Sequence, residues 1–202
     1  MCHYPLFETL SLINGKFQNL SFHQERMDHA FNNYLKVKPN FNLSDIVIPN
    51  EYQQGIFRCR IDYNINKYEM QISPYIPRKI EQFQCVSMEN FDYSFKFTDR
   101  KRLDSFKNLQ KPSQEILIVN NGKISDCTIG NLLFLKNDRW YSPKDYLLKG
   151  TQLASLLEKS LVELVSISID DVFEYEEIMM INALNPFDRK RAIIINQQSI
   201  IL

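Results

Sequence analysis

Lys96 and Asp126 are the side chains in this sequence whose settings most invite chemistry. Lys96 stands between Phe95 and Phe97 in YSFKFTDR, an apolar setting that can strip water from an amine and favour Schiff-base formation. The same stretch also suits a lysine that lays its stem along a strand edge and keeps its charge in water. Asp126 lies in NNGKISDCTIGNLLFLKND, between Ile124 and Thr128. Strand alternation would put these three on one face, so a buried carboxylate is expected there with a cationic partner; the other reading is a turn or edge carboxylate. Gly150-Thr151 opens a helical pattern, whose first backbone N–H groups and positive dipole end form a natural phosphate cradle.

Hairpins and helices must position these groups. FETLSLINGKFQNLSF alternates around Asn14-Gly15, a pair suited to a two-residue turn. SFHQERMDHAFNNYLKV then shifts to helical spacing, with Ser21 and Gln24 as a capping box and a helix expected from about His23. GIFRCRIDYN and KYEMQISPY read as a second hairpin, with Arg58 and Arg60 on one strand face, where they could grip carboxylates or simply face solvent. The two prolines of SPYIPRK mark a linker, giving domains of 1–75 and 79–202. Beyond it come a strand in KIEQFQCVSM, a short helix in DRKRLDSFKNLQ, and a meander from Glu115 to Tyr141 that turns at Asn121-Gly122 and Asn137-Asp138. A helix in TQLASLLEKSLVELV, a buried strand in EIMMINALNPF and the closing RAIIINQQSIIL complete the chain. Strands joined by hairpins, with helices in blocks, give an α+β fold.

Composition narrows the function. The 202 residues are 44% hydrophobic and 24% charged, ordinary for a globular protein with a real core. A formal net charge of zero supplies no field for nucleic acid or an anionic membrane, so neither is expected as a partner. Five glycines include no G-x-G-x-x-G and no P-loop, which argues against dinucleotide and P-loop chemistry. Cys2, Cys59, Cys85 and Cys127 are far apart, and His3, His23 and His29 complete no ligand set with them, so no metal is expected. The beginning of the chain reads as neither signal peptide nor membrane span, and a cytoplasmic protein is expected.

In order, FETLSLINGKFQNLSFHQERM, YSFKFTDR, NNGKISDCTIGNLLF, YLLKGTQLASLL and MMINALNPF resemble the class IV aminotransferase family, the D-amino-acid aminotransferase-like fold that binds pyridoxal phosphate. The resemblance is closest to 4-amino-4-deoxychorismate lyase and its short relatives. It implies a small α+β N-terminal domain on the substrate side and a larger, barrel-like α/β domain, with the cofactor between them. It also implies a homodimer. Lys96 matches the lysine that carries the cofactor; here too an arginine, Arg100, follows four residues later, and the resemblance makes it a further cofactor-binding candidate. Asp126 and Asn131 match an E-x-x-x-x-N motif whose carboxylate faces the pyridine nitrogen, so the cation expected beside Asp126 would be that protonated ring. Arg26, in HQER, matches a phosphate-binding arginine; Gly150 and Thr151 match the phosphate loop, and Asn182 and Ala183 a second phosphate-binding turn. Three positions depart from the pattern: Asp126 replaces Glu, Leu153 stands where many relatives have Arg, and Tyr63 where the lyases have Arg.

The resemblance implies a small amine substrate bearing carboxylates, with Arg58, Arg60 and Thr9 as candidate contacts and His3, Tyr4 and Phe7 as weaker ones. Two reactions share its first half. A lyase would split 4-amino-4-deoxychorismate into pyruvate and 4-aminobenzoate, for folate; a transaminase would move an amino group between an amino acid and a keto acid. A third reading is a non-catalytic binding protein on a degenerate enzyme fold, motivated by the basic run Arg100-Lys101-Arg102, although no aromatic platform accompanies it.

Overall fold

The computed structural model describes residues 4–106, 111 and 113–202, so His3 and Cys2 lie outside the described residues. Its contacts divide into two compact units, Met1–Pro77 with Phe95–Asp99, and Arg78–Ser94 with Arg100–Leu202.

The smaller unit is built on an antiparallel sheet. Strand β1 (Leu6–Ile13) turns at Asn14-Gly15 into the two-residue β2 (Lys16–Phe17). Both turn residues have positive φ, 48° and 74°, the conformation that selects Asn-Gly. Strands β3 (Ile56–Tyr63) and β4 (Tyr68–Pro74) extend the sheet in the order β2-β1-β3-β4. Leu6 and Leu10 of β1 and Cys59, Ile61 and Tyr63 of β3 pack against Met27, Ala30 and Phe31. Burial pushes the Cys59 thiol up to about 12, so this cysteine fills the core as a neutral group.

Helix α1 (Leu20–Ala30) starts three residues before the expected position, after Asn19 in the left-handed region, and no side chain caps it. The Ser21-Gln24 box does not form. Gln24 instead donates to Asp28 at 2.7 Å and accepts from the Leu43 N–H at 2.8 Å, tying the helix to the loop that follows.

The segment Phe95–Asp99, assigned by the sequence to the larger domain, belongs to the smaller unit. The reason is an open edge. Strand β2 covers only Leu12 and Ile13 of β1, leaving its first residues to pair elsewhere. Leu6 bridges to Phe97, the Phe7 N–H donates to the Lys96 carbonyl at 3.0 Å, and the Thr98 N–H donates to the Pro5 carbonyl at 2.9 Å. Lys96 is thereby held on the edge of β1.

The larger unit holds β5 (Gln82–Met88), α2 (Lys101–Asp104), β6 (Gln114–Asn120), β7 (Lys123–Cys127), β8 (Asn131–Lys136), β9 (Arg139–Pro143), α3 (Thr151–Glu158), β10 (Glu163–Val165), β11 (Glu177–Ile181), β12 (Ile193–Ile194) and β13 (Ile200–Ile201). Part of the helix expected in DRKRLDSFKNLQ falls outside the described residues. Among those described, the strand order is β10-β9-β8-β7-β6-β5-β13, and β8 also pairs with β11, which carries β12. Alternation along β8 and β11 serves two cores. Leu132, Phe134, Ile178 and Met180 enter one; Leu133, Met179 and Ile181 enter the other, with Leu153 and Leu156 of α3. The meander turns where expected, with positive φ at Asn121, Gly122, Asn137 and Asp138.

One strand breaks the alternation. Leu117 pairs with Cys127 and Val119 with Ile124, so two steps along β6 answer three along β7: a β-bulge at Ser125-Asp126. Ile124 and Cys127 consequently enter the same core. Asp126 does not share a face with Ile124, as unbroken alternation had suggested; the extra residue turns it away.

Candidate active site

In the smaller unit, Lys96 is half-buried with its Nζ 4.9 Å from the centroid of the Phe7 ring. The Arg60 guanidinium carbon lies 3.9 Å from the same centroid, so one ring carries two cations. Phe7, Thr9 and Ser11 pair with Asp62, Arg60 and Arg58, which places all six on the sheet face opposite α1. Arg60 already has a bidentate partner: its Nε and one terminal nitrogen donate to Asp62 at 2.7 and 2.6 Å. A substrate carboxylate at Arg60 would therefore compete with Asp62.

Arg26 is bound internally too. On the α1 face of the sheet, Glu8 is fully buried and accepts from Arg26 Nε at 2.9 Å and from a terminal nitrogen at 2.5 Å. Buried His23 lies with Nδ1 2.7 Å from the same carboxylate. Burial alone would raise the Glu8 pKa, but the Arg26 charge and the His23 contact outweigh it and hold the carboxyl at about 2. Burial lowers the His23 pKa below its ordinary 6.5 despite Glu8. At neutral pH the trio is thus an anion, a cation and a neutral imidazole whose Nδ1–H donates. Glu8 escaped the motif comparison, although its place between Leu6 and Leu10 on the core-facing parity marks it as a buried carboxylate.

These shifts set an acid-stability prediction. Glu8 ionises more readily folded than unfolded, so its contribution is complete above pH 4.5 and disappears as pH falls from there toward 2. The gross effect is on the order of 3 kcal/mol. His23 acts in the same direction, because the unfolded chain takes up its proton first as pH falls through 6.5. Urea midpoints at pH 7, 5 and 3 should fall steadily, and Glu8→Gln should flatten the step below 4.5. An equally steep step in that variant would rule out this source.

In the larger unit, three N–H donors converge on Asp126. Asn131 Nδ2 donates to Oδ1 at 2.7 Å, and the Leu147 and Leu148 amides each donate to Oδ2 at 3.0 Å. The expectation of a cationic partner arose from the cost of burial; these N–H groups already offset much of that cost. Asn131 is also the Cα partner of Asp126 and reaches the start of α3, accepting from the Gly150 N–H at 3.0 Å and donating to the Leu148 carbonyl at 2.9 Å. Asp126, Asn131, Gly150 and Thr151 therefore form one connected group.

Gly150 has a steric reason to be glycine, since a Cβ there would run into Asn131 Oδ1. Gly150→Ala should break the contact and destabilise the protein by about 1–3 kcal/mol, read as a lower urea midpoint.

Arg100 and Asn182 each bind the turn that separates Asp126 from Asn131. Arg100 donates to the Tyr93 hydroxyl at 3.0 Å and to the Thr128 carbonyl at 2.6 Å. Asn182 Nδ2 donates to the Ile129 carbonyl at 3.0 Å, while its Oδ1 accepts from the Leu184 and Asn185 amides at 2.9 Å each. Both side chains brace the turn between β7 and β8, and Ala183 sits in the turn that Asn182 closes. Leu153 is buried in the α3 core, consistent with its apolar character. Leu147 and Leu148 could not be picked out by residue type, because they act through backbone amides that any residue could supply.

The sequence model of the amino-transferase class IV family matches residues 61–187. An uncharacterized protein of Haemophilus influenzae is 37% identical over 185 residues, covering 90% of this chain and 98% of that protein. Among solved structures, a "putative 4-amino-4-deoxychorismate lyase" of Haemophilus somnus 129PT is 38% identical, with a TM-score of 0.86 over 93% of this chain and all of that one. A hypothetical aminotransferase of Mycobacterium tuberculosis in its PLP-bound form shares the fold at 13% identity, with a TM-score of 0.65 over 91% of this chain and 78% of that one.

The chain belongs to the class IV aminotransferase family, a family of pyridoxal-phosphate-dependent enzymes, and has its fold. No helix among the described residues is long and apolar enough to cross a membrane.

Taken separately, each unit holds groups whose chemistry fits pyridoxal phosphate: the smaller an amine, Lys96, beside an aromatic ring, and the larger a buried carboxylate, Asp126, suited to a ring nitrogen, and a helix start, α3, with glycine at its N-cap.

Proposed function

We propose that this protein is a pyridoxal-phosphate-dependent lyase that splits 4-amino-4-deoxychorismate into pyruvate and 4-aminobenzoate. The observation that carries this choice of reaction is the 38% identity to the Haemophilus somnus protein over that protein's entire length. Lys96 would hold the cofactor through its amine. Asp126 would face the ring nitrogen, oriented by Asn131 and the Leu147 and Leu148 amides. Gly150, Thr151, Ala183, Asn182 and Arg26 would serve the phosphate, with Arg100 bracing the β7–β8 turn. When bound, pyridoxal phosphate supplies an electron sink for the pair left behind when a proton leaves the carbon bearing the substrate nitrogen.

Lys96 has the central chemical task. Freed by the incoming substrate amine, its Nζ would take that proton as general base. A substrate whose enolpyruvyl carbon–oxygen bond could then break would release enolpyruvate and become aromatic; the proton held by Lys96 would balance the departing group, which becomes pyruvate. Arg58 and Thr9, with Arg60 if Asp62 yields, would bind the substrate carboxylates. The protein would act as a homodimer.

Class IV transamination is the second reading, supported by the match to that family over residues 61–187. It would use the same base, Lys96, which would give the proton back instead of serving the departure of an oxygen. Incubation with 4-amino-4-deoxychorismate, and separately with pairs of amino acid and keto acid, distinguishes the two. Release of 4-aminobenzoate supports the lyase; amino exchange without that product overturns it.

A further inference from the structure

Behind Asp126 lies a second buried carboxylate. Glu115, on β6, is wholly buried; its Oε2 accepts from an Arg78 terminal nitrogen at 2.7 Å. Its Oε1 accepts from the Ile116 N–H at 2.9 Å and from the Thr128 hydroxyl at 2.6 Å. Thr128 begins the turn between β7 and β8, two residues after Asp126 and three before Asn131.

That hairpin has little ladder of its own. Among the described residues, β7 and β8 pair at one position, Asp126 with Asn131, closed by the Cys127 N–H donating to the Gly130 carbonyl at 3.0 Å. The bulge at Ser125-Asp126 loosens β7 on its other side. External contacts therefore set where the turn sits. Arg100 and Asn182 hold the Thr128 and Ile129 carbonyls, and Glu115 holds a side chain through the Thr128 hydroxyl.

We infer that Glu115 is a positioning residue: through Thr128 it fixes the β7–β8 turn, and with it the carboxylate of Asp126 against the Leu147 and Leu148 amides. Arg78 braces the far oxygen of Glu115, so the order of support runs from Arg78 through Glu115 and Thr128 to Asp126. That Asp126 serves a cofactor rests on the proposed function; that Glu115 sets its place does not.

Hydrogen exchange at the Leu147 and Leu148 amides reads the position of Asp126 with or without cofactor. Glu115→Ala removes the anchor but also empties a buried site, so Thr128→Val, which exchanges one hydroxyl for a methyl group, is the cleaner variant. In Thr128→Val both amides should exchange at least about 10-fold faster while core amides of β11 keep their rates, and affinity for added pyridoxal phosphate should fall about 10- to 100-fold. Thr128→Ser, which keeps the hydroxyl, should restore the parent rates. In the double variant, loss of Glu115 should add little to loss of the Thr128 hydroxyl. Parent exchange rates at Leu147 and Leu148 in Thr128→Val would overturn the inference, as would acceleration spread evenly over β11. Should the parent take up no pyridoxal phosphate, the proposed function falls and the exchange rates still decide this inference.

Discussion

Replacing Lys96 with methionine is expected to leave a folded protein that neither acquires a yellow chromophore with pyridoxal phosphate nor turns over substrate. Methionine matches much of the length and apolar character of the lysine stem. It therefore keeps the packing beside Phe7, and the strand-edge bonds at this segment use backbone atoms that the change leaves in place. It removes the amine proposed both to carry the cofactor and to act as the base that moves the proton. Each role is worth several powers of ten, so activity should fall by at least about 10³-fold while thermal unfolding changes little. A variant that kept both colour and turnover would place this chemistry on another residue.

Asp126→Asn is expected to have the second-largest effect, and to divide it differently. The carboxylate receives N–H donors on both oxygens, from Asn131 on one and from Leu147 and Leu148 on the other. An asparagine offers one accepting oxygen, and its NH2 must then face Asn131 or the paired amides as donor against donor. Each buried donor left without an acceptor costs about 1–3 kcal/mol, so a measurable loss of stability should accompany the change. Lys96 keeps its amine, so the variant should still bind pyridoxal phosphate covalently. Its turnover should fall about 100- to 1000-fold, because the negative charge proposed to hold the ring nitrogen protonated is gone. Parent-like turnover with the chromophore intact would contradict the role of Asp126.

Local chemistry was the legible part of this sequence. Asn14-Gly15 and Asn121-Gly122 announce hairpins because the backbone of a two-residue turn needs positive φ, and that requirement acts within four residues. The ordered motifs around Lys96, Asp126, Gly150 and Asn182 led to the family because their spacing survives in the chain itself. What escaped depends on contacts distant in sequence. The β7 bulge has no glycine to mark it, and it turned Asp126 away from the face that alternation assigned. Phe95–Asp99 joins the smaller unit because β2 leaves the edge of β1 open, a property of strand length rather than of any motif. Glu8 and Glu115 carried a readable sign, a carboxylate within an apolar stretch, the same reasoning that singled out Asp126. Their partners, Arg26 and His23 for one and Arg78 and Thr128 for the other, emerge only from the fold.

The resemblance also assigned Arg26, Arg100, Asn182 and Arg60 to ligands, and the structure gives each an internal contact. Glu8, the Thr128 carbonyl, the Ile129 carbonyl and Asp62 respectively occupy these donors in part. Such contacts can fix a group in position for a ligand, and they also set what that ligand must compete with.

That the Lys96 amine carries pyridoxal phosphate is the proposal on which every other role depends. Purified protein loaded with pyridoxal phosphate, reduced with borohydride, digested and mapped by mass spectrometry tests it directly. A phosphopyridoxyl group is expected on the peptide containing Lys96; an unmodified Lys96, with the group absent or on another lysine, would overturn the proposed role.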